Sequence, residues 1–192
     1  PIQRAILNGE TETGVSTFIL DKKIDTGNIV MQKSVSIHNE SYGQLHDRLS
    51  IIGSDLVISS IKHIQANKQM MIQPNSSTYA PKIKKSETQI NWEEKSTSIA
   101  NLIRAFSPFP GAYTYLNNKR VRIIEARQAS NSAEKIFPGS IKVIDKEILV
   151  GTSDVPISLK KLQMEGRAMV NHKSFINGYL NTKSSDLIFE RR

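Results

Sequence analysis

Arg104-Ala105-Phe106-Ser107-Pro108-Phe109-Pro110-Gly111-Ala112-Tyr113-Thr114-Tyr115-Leu116-Asn117-Asn118-Lys119-Arg120-Val121-Arg122-Ile123-Ile124 is the stretch where one kind of structure gives way to another. Upstream of it, Ile99, Leu102, Ile103 and Phe106 recur at helical spacing, and Pro108 and Pro110 stop that helix. Downstream, the pattern shortens to strands. Ala112–Leu116 and Val121–Ile124 flank Asn117-Asn118, a pair that tolerates the positive φ angles a tight hairpin needs. Ile141–Ile144 and Ile148–Val150 flank Asp145-Lys146-Glu147, and Val155–Leu159 leads into Lys160–Met164. About five short strands behind one helix suit a small closed β-barrel.

The first third reads differently. Thr13–Leu20 is expected as a buried strand entered through a glycine turn, and a second strand runs from Gly27 to Ile37. Between them lies the polar loop Asp21–Thr26. A long helix begins at Ser41, with Gln44 placed to complete a capping box. Leu45, Leu49, Ile52 and Leu56 should face a core, and the helix fades near Asn67. Residues 68–86, with Pro74-Asn75-Ser76-Ser77 and lysines after Pro81, read as a linker. The expected organisation is therefore an α/β part over 1–67, a linker over 68–86 and a β part over 87–192. Pro1-Ile2-Gln3-Arg4-Ala5-Ile6 reads as the body of a helix with no initiator Met or cap, so the first part is expected to continue a domain begun upstream.

The chain lacks cysteine, which excludes disulfides, thiolate nucleophiles and Cys-bound zinc. No apolar run is long enough to span a bilayer, and no signal-peptide pattern heads the chain. The net charge is +8, and its distribution is uneven. Residues 1–66 hold 6 Lys/Arg against 7 Asp/Glu, whereas residues 67–192 hold 20 against 11. All the positive excess thus lies in the later part, as in a protein with one segment that meets a polyanion and one that does not. Solubility alone is the competing explanation.

Ile24-Asp25-Thr26-Gly27 is the candidate site of the first part, and by itself it is a weak signal. Taken alone, Asp-Thr-Gly also fits an Asp that accepts backbone hydrogen bonds in a tight turn. The surrounding order adds to it: Pro1–Ile6, then Asn8-Gly9-Glu10-Thr11-Glu12-Thr13-Gly14-Val15, then Ile24–Gly27. Together with Arg104–Ala112 and Phe175-Ile176-Asn177-Gly178-Tyr179, these segments resemble the methionyl-tRNA formyltransferase family along essentially the whole chain. The resemblance implies the C-terminal remnant of a Rossmann-like formyltransferase domain followed by an OB-like β-barrel domain. It implies an enzyme moving a formyl group from 10-formyltetrahydrofolate to the α-amino group of initiator methionyl-tRNA, in the cytoplasm, as a monomer, without a metal.

By the same resemblance Asp25 is the catalytic Asp, and Asp21, Lys22, Lys23, Ile24 and Asp25 form a loop against the folate pterin. The family's Asn and His partners belong to a stretch expected before Pro1, so the isolated chain should be inactive. Lys23 stands where the family often has Gly, and Asn28 where it often has Asp. The chemistry needs donors for a developing oxyanion and a carboxylate to move or stabilise protons beside a His. His38, His46, His63 and His172 show no metal-ligand spacing and are expected as surface or interface groups. The RNA contacts are expected from Arg104, Lys119, Arg120, Arg122, Lys142, Lys160, Lys161 and Arg167. Arg120 and Arg122 alternate with Val121 and Ile123 and should point outward together, with Lys119 extending the row. Three alternatives stay open at this level: a stand-alone RNA-binding module, a sugar-nucleotide formyltransferase, and half of a dimeric aspartic protease.

Overall fold

The computed structural model describes residues 1–74, 78–129, 135–180 and 187–190; the expected turn at Asn75-Ser76-Ser77 lies outside them. Helix α1 (Ile2–Leu7) leads into an antiparallel ribbon of β1 (Glu12–Phe18) and β2 (Ile29–Ser36). Helix α2 (Tyr42–Gln65) lies along that ribbon. Its start is as read: the Ser41 hydroxyl accepts from the Gln44 N–H at 3.4 Å, and the Gln44 side chain accepts from the Ser41 N–H at 2.9 Å. Leu45, Leu49 and Leu56 are buried, but Ile51, Val57, Ile58 and Ile61 on the same helix are exposed. Strand β1 is half-exposed rather than buried, because α2 covers only one side of a two-stranded ribbon; Ile19 and Leu20 fall beyond the strand.

Helix α3 (Ser96–Phe106) joins the two parts of the molecule. Ile99, Ile103 and Phe106 enter a core built on the large sheet, with Trp92, Phe175 and Phe189. Ala105, on its other side, packs with Ile6, Leu45 and Leu49 in a second, smaller core. Successive positions of one helix thus face two cores, which fixes the parts against each other.

The large sheet contains β3 (Ala112–Leu116), β4 (Lys119–Gln128), β5 (Ile141–Ile144), β6 (Glu147–Val150), β7 (Ile157–Met164) and β8 (Met169–Asn171). Its order is β3-β4-β7-β6-β5, with β8 paired to β7. Both expected hairpins are present. Asn117 and Asn118 take φ of 49° and 65°, and Asp145 and Lys146 take 50° and 63°, the left-handed pairs that match strand twist. Among the described residues the ladder of strands does not close into a barrel. Residues 187–190 reach both edges through single bridges, Glu190 to Tyr115 and Ile188 to Ser140. Strand β8 and helix α4 (His172–Tyr179) were not legible as elements, since three residues carry no period and α4 is short.

The segment expected as a linker is fastened down. Met71 exchanges backbone hydrogen bonds with Ile29 at 2.8 and 2.9 Å. Arg4 on α1 donates to the Pro81 and Lys82 carbonyls and pairs with Glu87 at 2.6 Å. At the start of α3, the Asp154 carboxylate accepts from the Ser96 N–H at 2.8 Å. That bond, with further help from Val155 and Thr152, pulls its pKa down to about 2. A carboxylate depressed in the folded state stabilises above its unfolded pKa of about 3.9 and loses that contribution as pH falls through its folded value. Asp154→Asn should therefore cost about 1 kcal/mol at pH 7, and the gap to wild type should close between about pH 4 and pH 2. Urea midpoints at several pH values measure this; a gap that persists at low pH would contradict it.

Candidate functional site

The β1–β2 loop presents Asp25, and several contacts seat its backbone. The Ile19 N–H donates to the Asn28 carbonyl at 3.0 Å, closing the base of the loop. Gly27 is buried there, and a Cβ on it would stand 1.6 Å from the Ile19 carbonyl oxygen. Only glycine lets the two arms come this close. Thr26 Oγ1 donates to the Lys23 carbonyl at 3.2 Å. From beyond α2, Gln73 Nε2 donates to the Asp25 and Gly27 carbonyls at 3.0 and 2.6 Å. Asp25 itself adopts φ +56°, a left-handed conformation that costs a non-glycine residue about 1 kcal/mol.

The backbone is held while the side chains are open. Asp21, Lys22, Lys23, Ile24 and Asp25 are all exposed. Among the described residues, no hydrogen-bond donor reaches the Asp25 carboxylate. Leu20 and Ile24 are 88% and 90% exposed, which leaves apolar surface on either side of two acidic groups. Gln73 was not singled out from sequence; nothing local marks a side chain that acts 48 residues away.

None of the histidines joins this loop. His46 sits beside Asp47 at 3.2 Å, His63 contacts the Gln69 carbonyl and His172 the Lys160 carbonyl. His38 lies past the other end of β2. Among the described residues, no cluster of His, Cys, Asp or Glu could hold a metal ion, and no helix is long and apolar enough to cross a membrane.

The expected cations divide by environment. Arg120 and Arg122 do lie on one face of β4, opposite the buried Val121 and Ile123. Lys119 does not extend their row: strand alternation places it on the other face, at the end of the strand. Arg104 turns inward. Its guanidinium donates to the His38 and Glu40 carbonyls at 2.6 and 3.3 Å and to Asn101 Oδ1 at 2.7 Å. Burial lowers its pKa, and the Glu40 charge opposes that shift. Arg104 thus ties α3 to the β2–α2 turn instead of facing outward. Lys160 pairs with Glu147 at 2.5 Å. Lys142, Lys161 and Arg167 are exposed on β5, β7 and the β7–β8 turn.

A cleft of about 980 Å³ runs between the start of α2, α3 and β4, lined by Ser41, Gln44, Asn101, Arg104, Arg127 and Lys161 among others. It does not include Asp25. The ribbon register sets Glu12 opposite Ser36 at the cleft end and Phe18 opposite Ile29 at the loop end. Six residue steps separate them, about 20 Å along the strand.

Residues 1–61 match the family model of formyl transferase, and residues 82–180 match that of the formyl transferase C-terminal domain. The chain belongs to the formyl transferase family. Methionyl-tRNA formyltransferase of Thermodesulfovibrio yellowstonii is 37% identical over 183 residues, covering 93% of this formyl transferase chain and 58% of that protein. The chain thus spans rather more than half the length of the curated relative. HypX from Aquifex aeolicus, solved with tetrahydrofolic acid, superposes with a TM-score of 0.73 over 100% of this chain and 36% of that one, at 15% identity. An N-formyltransferase from Helicobacter canadensis, solved with folinic acid and dTDP-3-aminofucose, gives 0.65 over 85% of this chain and 60% of that one, at 23% identity. At such identities these two likenesses speak for the fold alone.

Proposed function

We propose that this formyl transferase chain is the C-terminal portion of a methionyl-tRNA formyltransferase, divided as 1–67, 68–86 and 87–192. Its observational basis is the β1–β2 loop. There a carboxylate is held in an open, backbone-fixed position beside apolar surface, in a chain 37% identical to a methionyl-tRNA formyltransferase. In this reading the donor is 10-formyltetrahydrofolate, which supplies the activated formyl group when bound. The Asp21–Asp25 loop borders its pterin: Ile24 and Leu20 cover ring surface, and the loop backbone meets the amide-like edge. Asp25 stabilises positive charge and assists proton movement at the attacking amino group, beside a His supplied from outside these 192 residues. The amino group of initiator methionyl-tRNA is the acceptor. The enzyme works in the cytoplasm as a monomer, and the isolated chain lacks transferase activity.

The six-stranded sheet, which we read as OB-like, takes the RNA. The support is electrostatic: the net charge is near zero over 1–66 and strongly positive over the remainder. Lys142, Lys161 and Arg167, with Arg120 and Arg122, contribute phosphate contacts; Arg104, Lys119 and Lys160 contribute long-range field. A handful of such contacts predicts that log K for tRNA falls linearly with log salt, with a slope between about −3 and −5. Titration of the purified chain with tRNA from 50 to 200 mM salt, a range over which such binding falls steeply, measures it, and binding that stays flat would remove the RNA reading. A sugar-nucleotide acceptor has no use for this charge. Competition by a dTDP-sugar, with none by tRNA, would favour it instead.

A further inference from the structure

The outer face of the β3–β4 hairpin carries two guanidinium groups stacked on two aromatic rings. Arg120 lies over Tyr113, 4.1 Å from the ring centre, and Arg122 lies over Phe109 at 5.3 Å. Tyr113 is buried beneath them, with Tyr115 meeting it edge-on at 5.8 Å. Arg122 is fixed: Nη1 donates to Gln163 Oε1 at 2.7 Å and Nη2 to the Pro108 carbonyl at 2.9 Å. Gly111 makes room for it, since a Cβ there would stand 2.5 Å from Arg122 Nε. Arg120 is different. Among the described residues its side chain has no acceptor, and Nε of both arginines is buried without one. A hollow of about 200 Å³ opens beside them, bordered by Gln163, Met164, Glu165 and Gly166.

This arrangement is unfavourable as it stands. Two like charges sit side by side, partly withdrawn from water, and no carboxylate among the described residues lies within ion-pair reach of either guanidinium. Glu165, the one acid at the rim, accepts from the Arg120 backbone N–H at 3.4 Å. Burial first, then the Arg120 charge, lowers the pKa of Arg122, as expected for a cation lacking a counter-charge. A bound anion would relieve the repulsion. Beside the pair, Phe109 remains 72% exposed, although such rings are ordinarily covered. Arginines next to an open aromatic ring are the parts that proteins use to hold a nucleotide whose base is not stacked in a duplex.

We propose that Phe109, Arg120 and Arg122 form a receiving site for one unpaired nucleotide of a bound RNA strand, its phosphate on the two guanidinium groups and its base on Phe109. The site deepens the RNA-binding reading above and rests on it. It adds a preference for single-stranded RNA, which phosphate contact alone does not provide. The phosphate sits against the Arg120 Nη donors and the remaining hydrogens of Arg122, while Gln163 and Pro108 keep Arg122 in register.

The test compares two RNAs of equal phosphate number, one single-stranded and one fully paired, binding the 192-residue chain at fixed salt. Phe109→Ala should weaken single-strand binding on the order of ten-fold, the loss expected from one stacked base, and leave duplex binding within about two-fold. Arg120→Gln should reduce the salt slope by about one, and Arg120→Lys should restore it. A 2-aminopurine base in the single strand should be quenched on wild type and not on Phe109→Ala. Urea midpoints of Phe109→Ala and Arg120→Lys should match wild type, because neither side chain supports the fold through hydrogen bonds, and Arg120→Gln, which removes one of the two like charges, should not fall below it. Equal losses on both RNAs, or no loss from Phe109→Ala, would overturn the site while leaving the RNA-binding reading intact. A wild-type chain that binds neither RNA would overturn both.

Discussion

On the proposed methionyl-tRNA formyltransferase reading, Asp25→Asn in a chain that carries the family's upstream segment should lower formyl transfer by about 10²- to 10⁴-fold, the range for removing a positioned proton-transfer group. The amide keeps the shape of the side chain but removes its charge and its basicity. The loop itself should survive. Its backbone is held by Gly27 beneath Ile19, by Thr26 on Lys23 and by Gln73 on Asp25 and Gly27, and all of these bonds engage main-chain carbonyls. Stability and tRNA binding should therefore stay at wild-type values while turnover falls. A formylation assay with 10-formyltetrahydrofolate and methionyl-tRNA, run beside a urea melt, separates these quantities. Retained turnover would reduce Asp25 to a turn residue. The isolated 192-residue chain should show no turnover in the same assay, since no histidine lies at this loop.

The largest loss of stability is expected from Phe106→Ala, at about 3–5 kcal/mol. Phe106 is fully buried at the end of α3, in the main core with Trp92 and Phe189. Its neighbour Ala105 belongs to the second core with Ile6, Leu45 and Leu49. A cavity at Phe106 loosens the helix that both cores share, so the site loop and the basic sheet should lose their fixed relation together. Trp92 provides the probe. It is the only tryptophan, stacks on Phe189 at 5.5 Å between ring centres and donates through Nε1 to Thr114 at 3.1 Å. Urea unfolding followed by its fluorescence should shift to a much lower midpoint. A change below about 1 kcal/mol would mean that the core collapses to fill the space. Ile51→Ala, on the exposed side of α2, should change little.

Features whose cause lies within a few residues were legible in the sequence. Ser41 and Gln44 form the capping box because their atoms are one turn apart. Asn117-Asn118 turns a hairpin because both residues tolerate positive φ. Ile99, Ile103 and Phe106 share a face because a helix repeats every 3.6 residues. Gly27 could be suspected in its turn, though not the carbonyl that excludes a side chain. Features whose cause lies far along the chain were misread or missed. Arg104 looked like one cation among many, but its outward appearance depended on where the His38 and Glu40 carbonyls would lie. Lys119 was a different kind of error: strand alternation, a local rule, already sets it on the face opposite Arg120 and Arg122.

Local pattern by itself established most of the elements, the sign and position of the excess charge, and the Asp25 loop together with the family it belongs to. Tertiary structure alone decided that, among the described residues, the strands form an open ladder bridged by residues 187–190, and that the segment after α2 braces the Asp25 loop. It also decided that Arg120 and Arg122 stand as an unbalanced pair beside an open ring. The physical reason is range. Periodicity, capping and turn preference act through bonds to near neighbours, whereas burial, pairing and charge compensation depend on groups brought together only when distant segments pack.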